Sequence, residues 1–119
     1  MVAEDLLKKL YKKKSLRNTD GGFEVQLTNP LSDATIVKPA KVSLGDERYK
    51  DFTIEMEGSS ISNQEISETN PLQFFVKTTA TLRFPRDTPL IPDKYTIKFT
   101  IQTEQYGELK FRIKDRIKE

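Results

Sequence analysis

The sequence predicts an all-β fold, an antiparallel two-sheet β-sandwich of about seven strands preceded by a short N-terminal helix. Apolar and polar residues alternate with period two in segment after segment from Phe23 onward, as in strands with one dry face. Gly, Pro and Asn signals punctuate those segments about every 8–15 residues, the rhythm of stacked antiparallel sheets. Helical spacing is confined to the first dozen residues. A length of 119 residues is expected to form one domain over 1–119, because such a chain can bury one modest core.

The helix is expected within residues 1–11, from Ala3 to about Leu10. Ala3, Leu6, Leu7, Leu10 and Tyr11 recur at spacings of three and four, with Glu4 and Asp5 early and lysines late, which suits the macrodipole. Residues 12–18 are compatible with the end of that helix or with a first strand. Asp20-Gly21-Gly22 signals a turn, since Gly and Asp tolerate positive φ. Phe23, Val25 and Leu27 then form the inner phase of a strand closed by Asn29-Pro30.

Ala34 and Ile36, then Ala40, Val42 and Leu44, continue the pattern on either side of Pro39. A proline cannot donate to a ladder, so an edge, bend or bulge is expected there. Gly45-Asp46-Glu47 turns the chain into Phe52, Ile54 and Met56, opposed by Thr53, Glu55 and Glu57. Ser62 and Glu65 have the spacing of a capping box, flanked by Ile61 and Ile66, and predict one helical turn. Gln73 to Phe84 reads as one long strand or two joined at a bulge. Tyr95, Ile97, Phe99 and Ile101 face Thr96, Lys98, Thr100 and Gln102 in the next strand, which turns at Glu104–Gly107 into Leu109, Phe111 and Ile113.

Composition removes several functions. The chain has no Cys and no His, which excludes disulfides, thiolate nucleophiles, imidazole acid–base chemistry and the ordinary zinc sites. A net charge of +2 is too small to imply nucleic acid, and only Phe75 among the phenylalanines falls in a polar phase near basic residues. No run approaches a membrane span, and the start lacks the pattern of a secretory signal, so a cytoplasmic protein is expected. Asp46, Glu47, Asp51, Glu55 and Glu57 are the densest carboxylates, but they show no EF-hand spacing and no singled-out catalytic pair. No catalytic, cofactor-binding or metal-binding residue is assigned.

Leu90, Pro92 and Tyr95 in LIPDKY resemble the Leu-x-Pro-x-x-Tyr arrangement that precedes a late strand in immunoglobulin-like and fibronectin-like domains. The resemblance implies a tyrosine corner, with the Tyr95 ring buried and its hydroxyl bonded to backbone near Asp87 to Leu90. More broadly, FEVQLTNPL, VSLGDE, IEMEG and LIPDKYTIKFTIQTEQYGELKFRIKD resemble the order of segments in small proteins of the C-glycoside deglycosidase β-subunit family. That resemblance implies an accessory subunit of a larger catalytic enzyme. The chain also looks like short proteins that carry the name hydroxymethylglutaryl-CoA reductase. That activity is not expected of the chain alone, because it has no glycine-rich dinucleotide loop and no histidine.

The resulting expectation is a non-catalytic interaction module, a protein partner or larger enzyme subunit, and homo-oligomers through exposed edges. Leu6, Leu10, Lys12, Lys13, Lys14 and Phe75 are the candidate interface residues. The alternative is a sugar-active enzyme assisted by carboxylates and a divalent cation.

Overall fold

The computed structural model describes residues 3–117. The chain opens with a single helical turn, α1 (Glu4–Leu7), which tightens into a 3-10 turn over Lys8–Leu10. Among the described residues eleven strands follow: β1 (Arg17–Thr19), β2 (Gly22–Thr28), β3 (Ala34–Ile36), β4 (Lys41–Leu44), β5 (Glu47–Tyr49) and β6 (Thr53–Met56), then β7 (Ser59–Ser62), β8 (Leu72–Phe74), β9 (Thr79–Pro85), β10 (Lys94–Thr103) and β11 (Gly107–Arg116). They form a five-stranded and a six-stranded antiparallel sheet, the β-sandwich the alternation predicts.

The first sheet runs β1-β2-β9-β6-β7. In the second, β10 is central: β11 pairs along one side of it, while β4 and then β3 lie end to end on the other, flanked by β5 and β8. The interruption between β3 and β4 falls at Val37–Ala40. From Thr103 to Thr100 the β10 strand advances three positions, while its partners go from Ile36 to Lys41, five positions. The extra residues bulge out around Pro39, which has no N–H to give the ladder.

The inner phases meet in one core. Phe23, Val25 and Leu27 of β2, with Ala80, Leu82 and Phe84 of β9, pack against Val42, Leu44, Ile97, Phe99 and Phe111. Phe23 and Phe84 stack at 4.8 Å between ring centroids, and Phe99 and Phe111 at 4.9 Å. Burying each such ring contributes roughly 1.5–3 kcal/mol.

Two segments differ from the sequence expectation, and a third settles what it left open. Gln73–Phe84 is neither one strand nor a bulged one, because the chain crosses between sheets. β8 belongs to the second sheet and β9 to the first, and Lys77 turns between them with a φ of 72°. Ser59–Ser62 is an edge strand paired with β6 through a tight turn in which Glu57 and Gly58 both take positive φ, the hairpin geometry that matches strand twist. The predicted helical turn follows it at Asn63–Glu65, with the Glu65 carboxylate accepting the Ser62 N–H at 3.2 Å. Residues 12–18, left open between helix and strand, are strand only from Arg17: Tyr11 bridges to Leu27, the Lys12 N–H donates to the Gln26 carbonyl at 3.0 Å, Lys13 and Lys14 turn, and β1 then runs along β2.

Candidate functional site

The two ends of the sandwich are built differently. At the end where β10 begins, Tyr95 is half-buried and its hydroxyl donates to the Ile91 carbonyl at 2.9 Å, next in the chain to the predicted Asp87–Leu90 stretch. Leu90 is buried and Pro92 exposed. Asn18 grips the same crossover loop from β1, donating to the Leu90 carbonyl at 2.9 Å and accepting the Leu90 N–H at 2.8 Å. No sequence pattern announces that clamp, since its partners lie 72 residues apart.

The open side between β1 and β11 is closed by the N-terminal segment. Leu7, Leu10, Tyr11 and Leu16 are all buried. Leu10 is therefore spent on the chain's own core and offers nothing to a partner, whereas Leu6 is exposed. The Tyr11 hydroxyl donates to Asp115 at 2.5 Å, and the same carboxylate oxygen accepts the Leu16 N–H at 3.2 Å. Burial, and then the hydrogen bond to Asp115, push the Tyr11 phenol well above its usual value. Tyr49 is pushed up to about 12, first by burial and then by its 2.6 Å bond to Glu47.

Both shifts keep the protonated form favoured in the folded state, so the folded chain binds more protons than the unfolded one above pH ~10. This contribution to stability is complete below about pH 10 and, for Tyr49, is lost as pH rises through about 12. Urea unfolding followed from pH 9 to 12 is expected to show the decline, and tyrosinate absorbance to show late ionisation of these two phenols. A flat stability profile across that window would contradict the assignment.

The carboxylates singled out in the sequence do not converge. Glu47 is taken up by Tyr49 and, at 3.2 Å, by Arg86, while Glu55 pairs with Arg83 at 2.9 Å. Among the described residues no three Asp or Glu side chains gather as a metal-ligating group. The most buried carboxylate is one the sequence reading passed over. Glu24 is 3% exposed on the outer phase of β2, covered by Arg17 at 2.9 Å and Arg83 at 3.5 Å, a cross-strand row that neutralises it.

The end where β10 returns into β11 is apolar. Phe75 is 52% exposed, Tyr106 43% and Leu6 42%, and Val76, also exposed, follows Phe75 in the β8–β9 turn. Buried Asn29 holds this end together: its amide donates to the carbonyls of Ser32 and Phe74, and its oxygen accepts the Leu31 N–H. The Lys77 N–H returns to the Asn29 carbonyl at 2.7 Å, which fixes the turn carrying Phe75. Between α1 and this end lies a cavity of about 150 Å³ walled by Leu6, Leu10, Leu31, Phe74, Tyr106 and Leu109. Of the predicted interface residues, Leu6 and Phe75 thus lie at one end. Lys12, Lys13 and Lys14 are exposed beyond the 3-10 turn, Lys13 and Lys14 alongside β11.

Residues 6–118 match the family described as hydroxymethylglutaryl-CoA reductase, N-terminal domain. The chain belongs to that family. The resemblance to the C-glycoside deglycosidase β-subunit family is overturned by this match, which spans nearly the whole sequence. The segment order that suggested it is shared by small sandwiches generally, because alternation and turn signals report on layering rather than descent. No curated protein matches the chain. A solved structure titled as the N-terminal domain of PorA aligns with a TM-score of 0.42 at 13% identity, over 90% of each chain. As a hydroxymethylglutaryl-CoA reductase N-terminal domain, the chain contains no helix, among the described residues, long and apolar enough to cross a membrane.

Proposed function

We propose that this N-terminal domain is a non-catalytic module that docks onto a larger catalytic unit through its apolar end. The observation that carries the reading is the exposure of Leu6, Phe75, Val76 and Tyr106, large apolar side chains at an end that Asn29 holds in place. Exposed apolar patches of this kind commonly mark interaction surfaces. The lack of histidine and cysteine supports the reading, because it leaves carboxylates as the general bases at neutral pH, and the most buried of them is neutralised by two arginines.

The test is purification of the protein from its own cells, wild type beside Phe75→Glu and Leu6→Glu, with circular dichroism to verify the fold. A larger enzyme is expected to co-purify with the wild type and to be lost from both variants. Turnover by the isolated chain would overturn the reading, as would retention of the partner by both variants. Sedimentation of wild type and Phe75→Ala decides whether a second copy occupies this end instead: self-association there requires the variant to sediment as a smaller species.

A further inference from the structure

Beside β11 lies a second surface of opposite chemistry. A cleft of about 590 Å³ runs between the strand and the segment Lys8–Lys14, its floor formed by Tyr11 and Ile113. Lys8, Lys13, Lys14, Arg112 and Lys114 line it, with Asp115 as the one carboxylate among the lining residues. That carboxylate is turned to internal use: one oxygen accepts from Tyr11 and Leu16, the other from the Arg116 N–H at 2.7 Å. Lys8 lies 4.0 Å from Asp5 and Arg112 3.9 Å from Glu4, whereas Lys13, Lys14 and Lys114 have no ion-pair partner among the described residues.

The backbone adds direction to the charge. β11 is the outer strand of its sheet, so every second amide points away from β10. The Arg112 N–H shows which ones, because it donates outward to the Glu4 carboxylate at 3.1 Å. By that parity Lys114 presents the next outward amide, roughly 7 Å along the strand. Among the described residues it has no acceptor, and it faces the cleft that Lys13 and Lys14 overhang. Glu4 thus displays, within the chain, how this edge receives an acid: a carboxylate on an outward amide beside a cation.

We propose that the cleft along β11 binds an extended acidic segment of a partner protein, one carboxylate on the Lys114 amide and others against Lys13 and Lys14. A peptide is favoured over a nucleic acid by the floor and the edge. Tyr11, the one aromatic in the cleft lining, is buried and bonded to Asp115, so no ring is presented for a base to stack upon. Outward strand amides, in contrast, suit an extended chain. This site is separate from the apolar end and does not depend on what that end binds.

The test uses the purified full chain and a short alternating Glu-Thr peptide, with a Gln-Thr peptide, a short DNA duplex and phosphatidylserine vesicles as competitors. Saturable, salt-sensitive binding of the Glu-Thr peptide is expected, with a shift of the Lys114 amide in NMR spectra. The Gln-Thr peptide and a Lys13→Glu/Lys114→Glu variant of unchanged circular dichroism are each expected to bind about tenfold more weakly or worse. Binding that leaves the Lys114 amide unmoved overturns the proposal, as does displacement of the peptide by duplex or vesicles at lower concentration. Absence of saturable binding does the same. None of these outcomes bears on a larger enzyme docking at the apolar end.

Discussion

Asn63→Ala is expected to cost about 3–5 kcal/mol of folding stability, a large part of the margin of roughly 5–15 kcal/mol that a domain has. Asn63 is fully buried, at 0% exposure, and its side chain is saturated. Its oxygen accepts the Ala40 N–H at 2.9 Å, and its amide donates to the carbonyls of Ala40 at 2.8 Å and Lys50 at 2.9 Å. It therefore does for the bulged segment after Pro39 what a neighbouring strand would otherwise do. Truncation leaves three main-chain groups without their partner, the two of Ala40 buried and the Lys50 carbonyl partly so, and each buried orphan costs roughly 1–3 kcal/mol. Thermal unfolding at neutral pH should show a midpoint lowered by about 12–20 °C, taking about 4 °C per kcal/mol for a chain of this size. A loss under 1 kcal/mol would mean that water replaces the amide at no cost and that the clamp is incidental. Asn63→Asp is expected to cost at least as much at neutral pH, since it keeps the acceptor but sets a buried carboxylate oxygen against the two carbonyls that lose their donor.

Asn63 also marks where sequence reasoning stops. Its neighbourhood was legible: Ser62 and Glu65 predict the turn at Asn63–Glu65, and Pro39 predicts the break between β3 and β4. Nothing in either stretch says that one fills the hydrogen bonds of the other, because that pairing spans 23 residues and uses a residue type common in any turn. The same division holds elsewhere. Phe23, Leu82, Ile97 and Phe111 are legible as core because burying one face of a pleated strand imposes period two. Ser59–Ser62 is not, because an edge strand with a wet face on one side carries too few apolar residues to register. The crossing between β8 and β9 hides for a related reason: the alternation of Phe74, Ala80, Leu82 and Phe84 keeps phase across the turn, as though no change of sheet occurred.

The candidate surfaces divide likewise. Leu6 and Phe75 stand out in the sequence, one as a leucine on a short basic helix and the other as an aromatic in a polar phase. Their common end is a product of the fold alone. The lysines at 12–14 are visible as a cluster, but their relation to Arg112 and Lys114 depends on Tyr11 reaching Asp115 across 104 residues. Long-range closure of this kind leaves no periodic trace, since each member is one polar residue among many.

The adjacent glycines Gly21 and Gly22 look interchangeable in the sequence, yet replacing each with alanine is expected to give different losses. Gly21 adopts a φ of 83° with open space around the position of a Cβ, so Gly21→Ala meets only the left-handed backbone penalty, about 1–2 kcal/mol. Gly22 has no such φ; its constraint is the neighbouring strand. It pairs with Pro85, and a Cβ would lie 1.8 Å from the Phe84 carbonyl oxygen, a main-chain atom that cannot swing aside. Relief requires β2 and β9 to part at the point where Phe23 and Phe84 stack, and where the Arg86 N–H returns to the Gly21 carbonyl at 2.9 Å. Gly22→Ala is accordingly expected to cost about 3 kcal/mol or more, the upper range of overpacking. Urea denaturation of the two variants measures the difference. A larger loss from Gly21→Ala than from Gly22→Ala would show that the close approach of β2 and β9 yields easily, and the aromatic stack beside it would then be softer than its geometry requires.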